Sequence, residues 1–431
     1  MFLQCREALS VSKAKNAYQI DKEIETVYSH LSSHPNVKKS LAFLEADQTN
    51  TLHEQIELAQ ISAPPFQEET RARALMNKLE ELGLEEVQQD SEGNVFGRLR
   101  GERKGPTLFV SAHIDSVFSM ETDVTVTEKD GIYYGPGITD DARGLAALLS
   151  IVRAFNHSGI KPEADIIFGG TVGEEGPGDL RGVKAFFNDH PEVEGFISID
   201  AVSPTAIVYK GTGSYRYEIT YTGPGGHSFG AFGTPSAVHA AGRAISAISD
   251  LTPAVDPKTT FNVGVVQGGT IPTAIAEEAK LFIDIRSNGK KELDQLDSRI
   301  QVILQEAAEM ENRKTGHYGD AGIRVDINKL GDRPVGVQDD QARVVQTAWA
   351  ATEQLGLVPT LEDALSTDAN LPISIGVPAL TLGAGGDGGG YHSLDEWFDP
   401  TNAHLGPQRV FLTILGLSGI SKMTLPLLPE K

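Results

Sequence analysis

Between Lys210 and Gly331 the chain changes its rhythm, and this limits the possible folds more than any other feature. Upstream, short apolar runs that read as buried strands ("PTLFVSAHID", "ADIIFGGTV", "GFISID") alternate with helical stretches such as "ARGLAALLSIVRAF". A strand covered on both faces is apolar throughout, so this alternation predicts a mainly parallel sheet with helices on both sides. After Lys210, "SYRYEITYTG" alternates polar and apolar residues with period two, as a half-exposed strand does. The helical "PSAVHAAGRAISAIS", the strand-like "TTFNVGVVQGG" and "AKLFIDIRS", the helical "KKELDQLDSRIQVILQEAAEM" and the strand-like "GIRVDINKL" follow. That β-α-β-β-α-β order predicts a ferredoxin-like α+β unit. Beyond Gly331 the first rhythm returns with "ARVVQTAWAATEQLG", "PALTLG" and "HLGPQRVFLTILGLSGI".

One α/β domain interrupted by a smaller one accounts for this order. Residues 1–210 and 331–431 form the catalytic domain, the first fifty or so a helical N-terminal extension, and 211–330 form an inserted lid or dimerisation domain. A length of 431 residues suits such a division. Lys plus Arg number 37 against 59 Asp plus Glu, a net charge of −22, which argues against nucleic acid or an anionic membrane as partner. The single cysteine, Cys5, excludes an internal disulfide framework and a thiolate metal site. The N-terminal "MFLQCREALSVSKAKNAYQI" lacks the apolar core of a secretion signal, and no stretch is long enough to span a bilayer. The expected location is the cytoplasm.

In open α/β sheets chemistry collects beyond the carboxyl ends of the strands. Here those ends carry His113 and Asp115, Asp140 and Asp141, Glu174 and Glu175, and Asp200; His392 follows downstream in "GAGGDGGGYHSLDEW". Each has a simpler reading alone: a polar pair, a helix cap, a solvated loop, a turn. Together, His113, Asp140, Glu175, Asp200 and His392 carry about three negative charges, which cannot be buried close together without cations. Two divalent ions bring that set near neutrality, and nitrogen and oxygen ligands without sulfur suit Zn2+, with Mn2+ or Co2+ as substitutes. One glutamate of the Glu174–Glu175 pair can then bind metal while its neighbour serves as general base toward an activated water.

The set "HIDS", "GPGITDDARGLAAL", "GEEG", "SIDA", "GGHS" and "YHSLDEW" resembles the dinuclear-zinc exopeptidase family of clan MH, the peptidase T, glutamate carboxypeptidase and aminoacylase group. The resemblance runs from about His53 to the C-terminus. It implies that His113 and Asp200 hold one metal and Glu175 and His392 the other, with Asp140 bridging and Asp141 not a ligand. It implies Glu174 as general acid/base and Asp115 as the acid that orients the His113 imidazole. His227 in "GPGGHSFG" would contact the substrate carbonyl or its oxyanion, often from a dimer partner through the inserted domain. Arg286 would clamp a substrate carboxylate, and Asp368 and Asn370 in "STDANLP" would line the substrate wall. Relatives that attack free N-termini tend to carry Asp at the position of Asp200, which favours an aminopeptidase acting on short peptides. A deacylase or carboxypeptidase of the same family, and a non-catalytic binding homologue, remain open at this point.

Overall fold

The computed structural model describes residues 18–429, so Cys5 and the start of the N-terminal extension lie outside the described residues. The larger sheet has eight strands in the order Glu85–Gln89, Val95–Leu99, Ile166–Thr171, Thr107–His113, Val193–Ile199, Ala379–Leu382, Ala206–Val208, Thr360–Leu361. Its four central strands, from Ile166–Thr171 to Ala379–Leu382, run parallel to one another. All seven residues of Thr107–His113 are buried, which is why that stretch is apolar throughout. Its side chains point alternately to two cores. Leu108 and Val110 join the core beneath helices Ala142–Ser158 and Leu405–Ser418, while Phe109 packs with Phe186 and Phe196 on the opposite face. The α/β architecture expected from the alternation is present.

The N-terminal helices Lys22–Ser33, Pro35–Ala46 and Gln48–Ala59 belong to this body. Ile24, Leu31, Val37, Leu44 and Leu58 are buried in the main core, and the Tyr28 hydroxyl lies 2.8 Å from the Thr347 carbonyl and 3.1 Å from that of Leu412. Among the described residues no helix is long and apolar enough to cross a membrane.

The inserted unit has four antiparallel strands in the order Thr259–Gly268, Glu278–Ser287, Gly213–Thr222, Arg324–Arg333. By sequence that order is 2-3-1-4, the ferredoxin-like arrangement expected. Tyr215, Tyr217, Ile219 and Tyr221 point into a separate core under helices Ala237–Ser249 and Lys290–Thr315. Its last strand continues to Arg333, and Gly211 bridges to Gly336, so the chain enters and leaves the unit side by side.

Candidate active site

Strand register brings the polar ends level. His113 pairs with Thr171, and Ser111 with Ser198, so His113, the Glu174–Glu175 loop and Asp200 leave the sheet on one edge. Asp141 supplies the fourth corner. It caps helix Ala142–Ser158 by accepting from Gly144 N (3.0 Å), and its other oxygen accepts from His113 N (3.1 Å). Glycine is required at 144, because a Cβ there would lie 2.3 Å from both Asp141 Oδ1 and the Ile199 carbonyl. The capping acid thereby ties the helix start to the histidine strand and leaves Asp140 facing the cluster.

Asp140 sits between two imidazoles. Its Oδ1 lies 2.8 Å from His113 Nε2, and its Oδ2 lies 3.1 Å from His392 Nε2, which is also 3.0 Å from Glu175 Oε1. One ligand atom each from His113, Asp140 and Glu175 falls within 4.8 Å of the others. His392 reaches in from a glycine-rich turn with φ of 60°, a left-handed conformation uncommon for residues other than glycine. Asp200 joins by charge. Burial pushes its carboxyl up to about 7, with His113 pulling it down and Asp140 and Glu175 pushing it further up. Asp140 goes the other way: although burial opposes ionisation, the two histidines hold its carboxyl below the usual range.

Asp115 departs from its expected contact. His113 Nδ1 donates to the main-chain carbonyl of Asp115 (2.9 Å), while the nearer carboxylate oxygen stands 3.7 Å off. That carboxylate instead accepts from the main-chain N–H of Glu174 (3.0 Å) and of Glu175 (2.8 Å). The turn of the double-glutamate loop aims two adjacent N–H groups back at the sheet, and a buried carboxylate satisfies both.

Glu174 is 6 % exposed, and burial pushes its carboxyl well above the usual range, with Arg333 opposing. Arg333 Nη1 lies 3.1 Å from Glu174 Oε1 and 3.0 Å from Ser366 Oγ, and Nη2 donates to the Glu174 carbonyl. Sequence reasoning missed this arginine. It stands 159 residues away at the end of an inserted-unit strand, where no local pattern marks it. Glu396 was missed as well, although it lies inside the quoted "YHSLDEW"; its buried carboxylate grips the loop that carries Asp140.

The expected substrate residues divide. Asp368 is buried beside the cluster, accepts from Thr171 Oγ1 (2.5 Å) and is raised to about 6 by burial. Asn370 has a different task from the one expected. Its amide donates to the carbonyls of Thr212 (2.8 Å) and Pro334 (3.0 Å), and its oxygen accepts from Thr367 N (3.1 Å). With its amide donors taken up by main chain at the two crossings, it fastens the inserted unit to the catalytic domain. Arg286 pairs with Asp284 (2.8 Å) and lines, together with Lys210 and Ser366, a cleft of about 680 Å³. His227 is exposed on a two-residue strand of the inserted unit, its Nδ1 accepting from the N–H of Gly230 at 3.2 Å.

The sequence pattern of peptidase family M20/M25/M40 matches residues 109–414, more than half of the chain. The chain belongs to this family. As an M20 protein it is a metal-binding hydrolase of peptide or amide bonds. The "Uncharacterized protein YqjE" of Bacillus subtilis is 25% identical over 366 residues, covering 78% of this chain and 90% of its own. The aminopeptidase PepT of Bacillus cereus superposes with a TM-score of 0.69 at 24% identity over 85% of this chain and 98% of its own. YXEP of Bacillus subtilis, described as a dinuclear metal binding peptidase from the M20 family, gives 0.63 at 16% identity over 86% and 98%. These likenesses show the fold. The cluster itself fits the metal chemistry of an M20 protein. With Nδ1 donating to a carbonyl, His113 presents Nε2 to an Asp140 oxygen 2.8 Å away, a contact that a proton satisfies in metal-free protein and that a divalent ion can take over.

Proposed function

We propose that the protein is an exopeptidase of short peptides, an aminopeptidase of the di- or tripeptidase kind, working in the cytoplasm with two zinc ions. The observation that carries this reading is a buried, arginine-held Glu174 beside a carboxylate faced by two imidazoles. His113, Asp140 and Asp200 would hold one ion, and Asp140, Glu175 and His392 the other, with Mn2+ or Co2+ as substitutes. Ions so held lower the pKa of water and polarise a scissile carbonyl.

The chain's own residues supply the remainder. Glu174 takes the proton of the attacking water and hands it to the leaving amine; burial, which raises its affinity for a proton, suits it to hold one between the two steps. Arg333 keeps its carboxylate and carbonyl in place. Asp115 fixes the neighbouring main chain, so the general base and its metal-binding neighbour keep their spacing. Residues 211–330 act as the lid, Arg286 meets the substrate carboxylate from the cleft, and Asp368 closes the inner wall. His227, exposed on the inserted unit, donates to the oxyanion from the lid of a second copy in a homodimer. The open edge strand Thr259–Gly268, with Val266 62% exposed, offers a surface for that pairing. A lid over the site limits access to short chains.

The test is a panel of free tripeptides, N-acetylated peptides and folate-like amides offered to zinc-reconstituted protein, with Glu174→Ala in parallel. Free tripeptides are expected to be cut, and Glu174→Ala to lower kcat by about 10²- to 10⁴-fold. Turnover of blocked amides alone would refute the aminopeptidase reading. Activity untouched by Glu174→Ala would remove that residue from its role.

A further inference from the structure

Glu396 is fully buried, and its carboxylate is met almost wholly by one loop. Oε2 accepts from Gly137 N (2.9 Å); Oε1 accepts from Thr139 N (2.8 Å), from Asp140 N (3.0 Å) and from the Thr139 hydroxyl. The Glu396 carbonyl accepts from Gly135 N (3.0 Å), so residues 135–140 wrap around a single residue. From the far side Gln55 Nε2 donates to the Ile138 carbonyl (2.7 Å). A buried anion that gathers four donors is a strong organiser of backbone, because releasing any of them leaves a polar group unmatched.

Its place in the chain gives this grip a purpose. Glu396 stands four residues after His392, whose Nε2 lies 3.1 Å from Asp140 Oδ2. The segment 392–396 therefore reaches Asp140 twice, through His392 to its carboxylate and through Glu396 to its main chain. Those contacts close a ring, and a ring of covalent chain and hydrogen bonds fixes the reach between its two metal-facing groups. Gly390, with φ of +71°, lets the turn just before His392 pack against this ring, since a Cβ there would fall 2.8 Å from the Asp395 carbonyl.

We propose that Glu396 is a positioning residue: it holds the Asp140 carboxylate at a set reach from His392, and so would set the spacing of two ions held by Asp140. This rests on the reading of Asp140 and His392 as metal ligands. Glu396 touches neither substrate nor metal in this role and acts through Asp140. Glu396→Gln keeps the shape but turns an amide toward main-chain N–H groups; Thr139→Val keeps the shape and charge and removes one donor.

The experiment loads each full-length protein with two equivalents of Mn2+, records its electron paramagnetic resonance spectrum, and measures both affinities by competition with a chromophoric chelator. The wild type is expected to give the multiline spectrum of a coupled pair. Glu396→Gln should show the six-line spectrum of isolated ions, with one affinity weakened by about 10- to 100-fold. Thr139→Val should weaken the same affinity by about fivefold and decides the matter if Glu396→Gln fails to fold. Unchanged coupling and affinities in the folded variants, with only the melting temperature of metal-free protein lowered, would make Glu396 merely structural and overturn the proposal. A wild type that takes up no divalent ion would overturn the metal reading itself, and this inference with it.

Discussion

Asp115 shows how much of the site depends on one acid that faces away from it. Its carboxylate holds the N–H groups of Glu174 and Glu175, so the spacing of the two glutamates is set from behind. Asp115→Asn must turn an amide NH2 toward one of those donors. It should cost about 1–3 kcal/mol of stability and weaken metal binding by about 10- to 100-fold, read by thermal unfolding of metal-free protein and by chelator competition. A variant that binds metal as tightly as the wild type would show that the loop holds itself. Arg333 is the companion case. Arg333→Gln leaves Glu174 buried without its ion partner, expected to cost about 3–5 kcal/mol, and lets the base drift, lowering kcat by about 10²-fold. Denaturant unfolding and steady-state kinetics check both effects. His113, the Glu174–Glu175 pair and Asp200 were legible in the sequence because each follows an apolar strand. Arg333 was not, since its meaning comes from a contact across 159 residues.

At the scale of elements, the two rhythms of the sequence became two sheets, because alternating and uniform apolarity demand different burial. The joints between them were not legible. Asn370 was expected in a substrate wall, yet its amide holds the Thr212 and Pro334 carbonyls where the chain enters and leaves the inserted unit. Gly211 fits there for the same reason, since a Cβ would meet Asn370 Oδ1 at 2.5 Å. Asn370→Ala should leave those carbonyls unmatched, cost about 1–3 kcal/mol and loosen the joint. Limited proteolysis then quickens at 211–212 and 334–336, and cleavage no faster than in the wild type would deny Asn370 its latching part. The N-terminal helices teach the same lesson. Their helical spacing was visible, but what they pack on was not, because the partners of Tyr28 at Thr347 and Leu412 lie more than three hundred residues away. Leu31→Ala, in a fully buried position, should cost about 2–5 kcal/mol, a loss a detached extension would not show.

Over the whole molecule, the cluster makes stability depend on pH in a direction that metal should cancel. In metal-free protein, burial raises Asp200 to about 7 and Asp368 to about 6, above the ordinary aspartate value. The folded chain then holds protons that the unfolded chain has released, so stability falls as pH rises from about 4 through those values. His392 acts in the same direction. Asp140 and Glu175 raise its imidazolium to about 10, so its contribution is complete below the ordinary histidine value near 6.5. That contribution is lost as pH climbs through 10. Divalent ions replace those protons and release them on binding, so the loaded protein should escape the decline. The melting temperature of chelated protein is therefore expected to be lower at pH 9 than at pH 5.5, and the gap between zinc-loaded and chelated protein to widen over that interval. His392→Ala should flatten the alkaline part of the chelated curve without moving the part between pH 4 and 6. A gap that stays constant with pH would mean that the buried acids and imidazoles are balanced by the protein alone, and the electrostatic case for a metal pair would lose its basis.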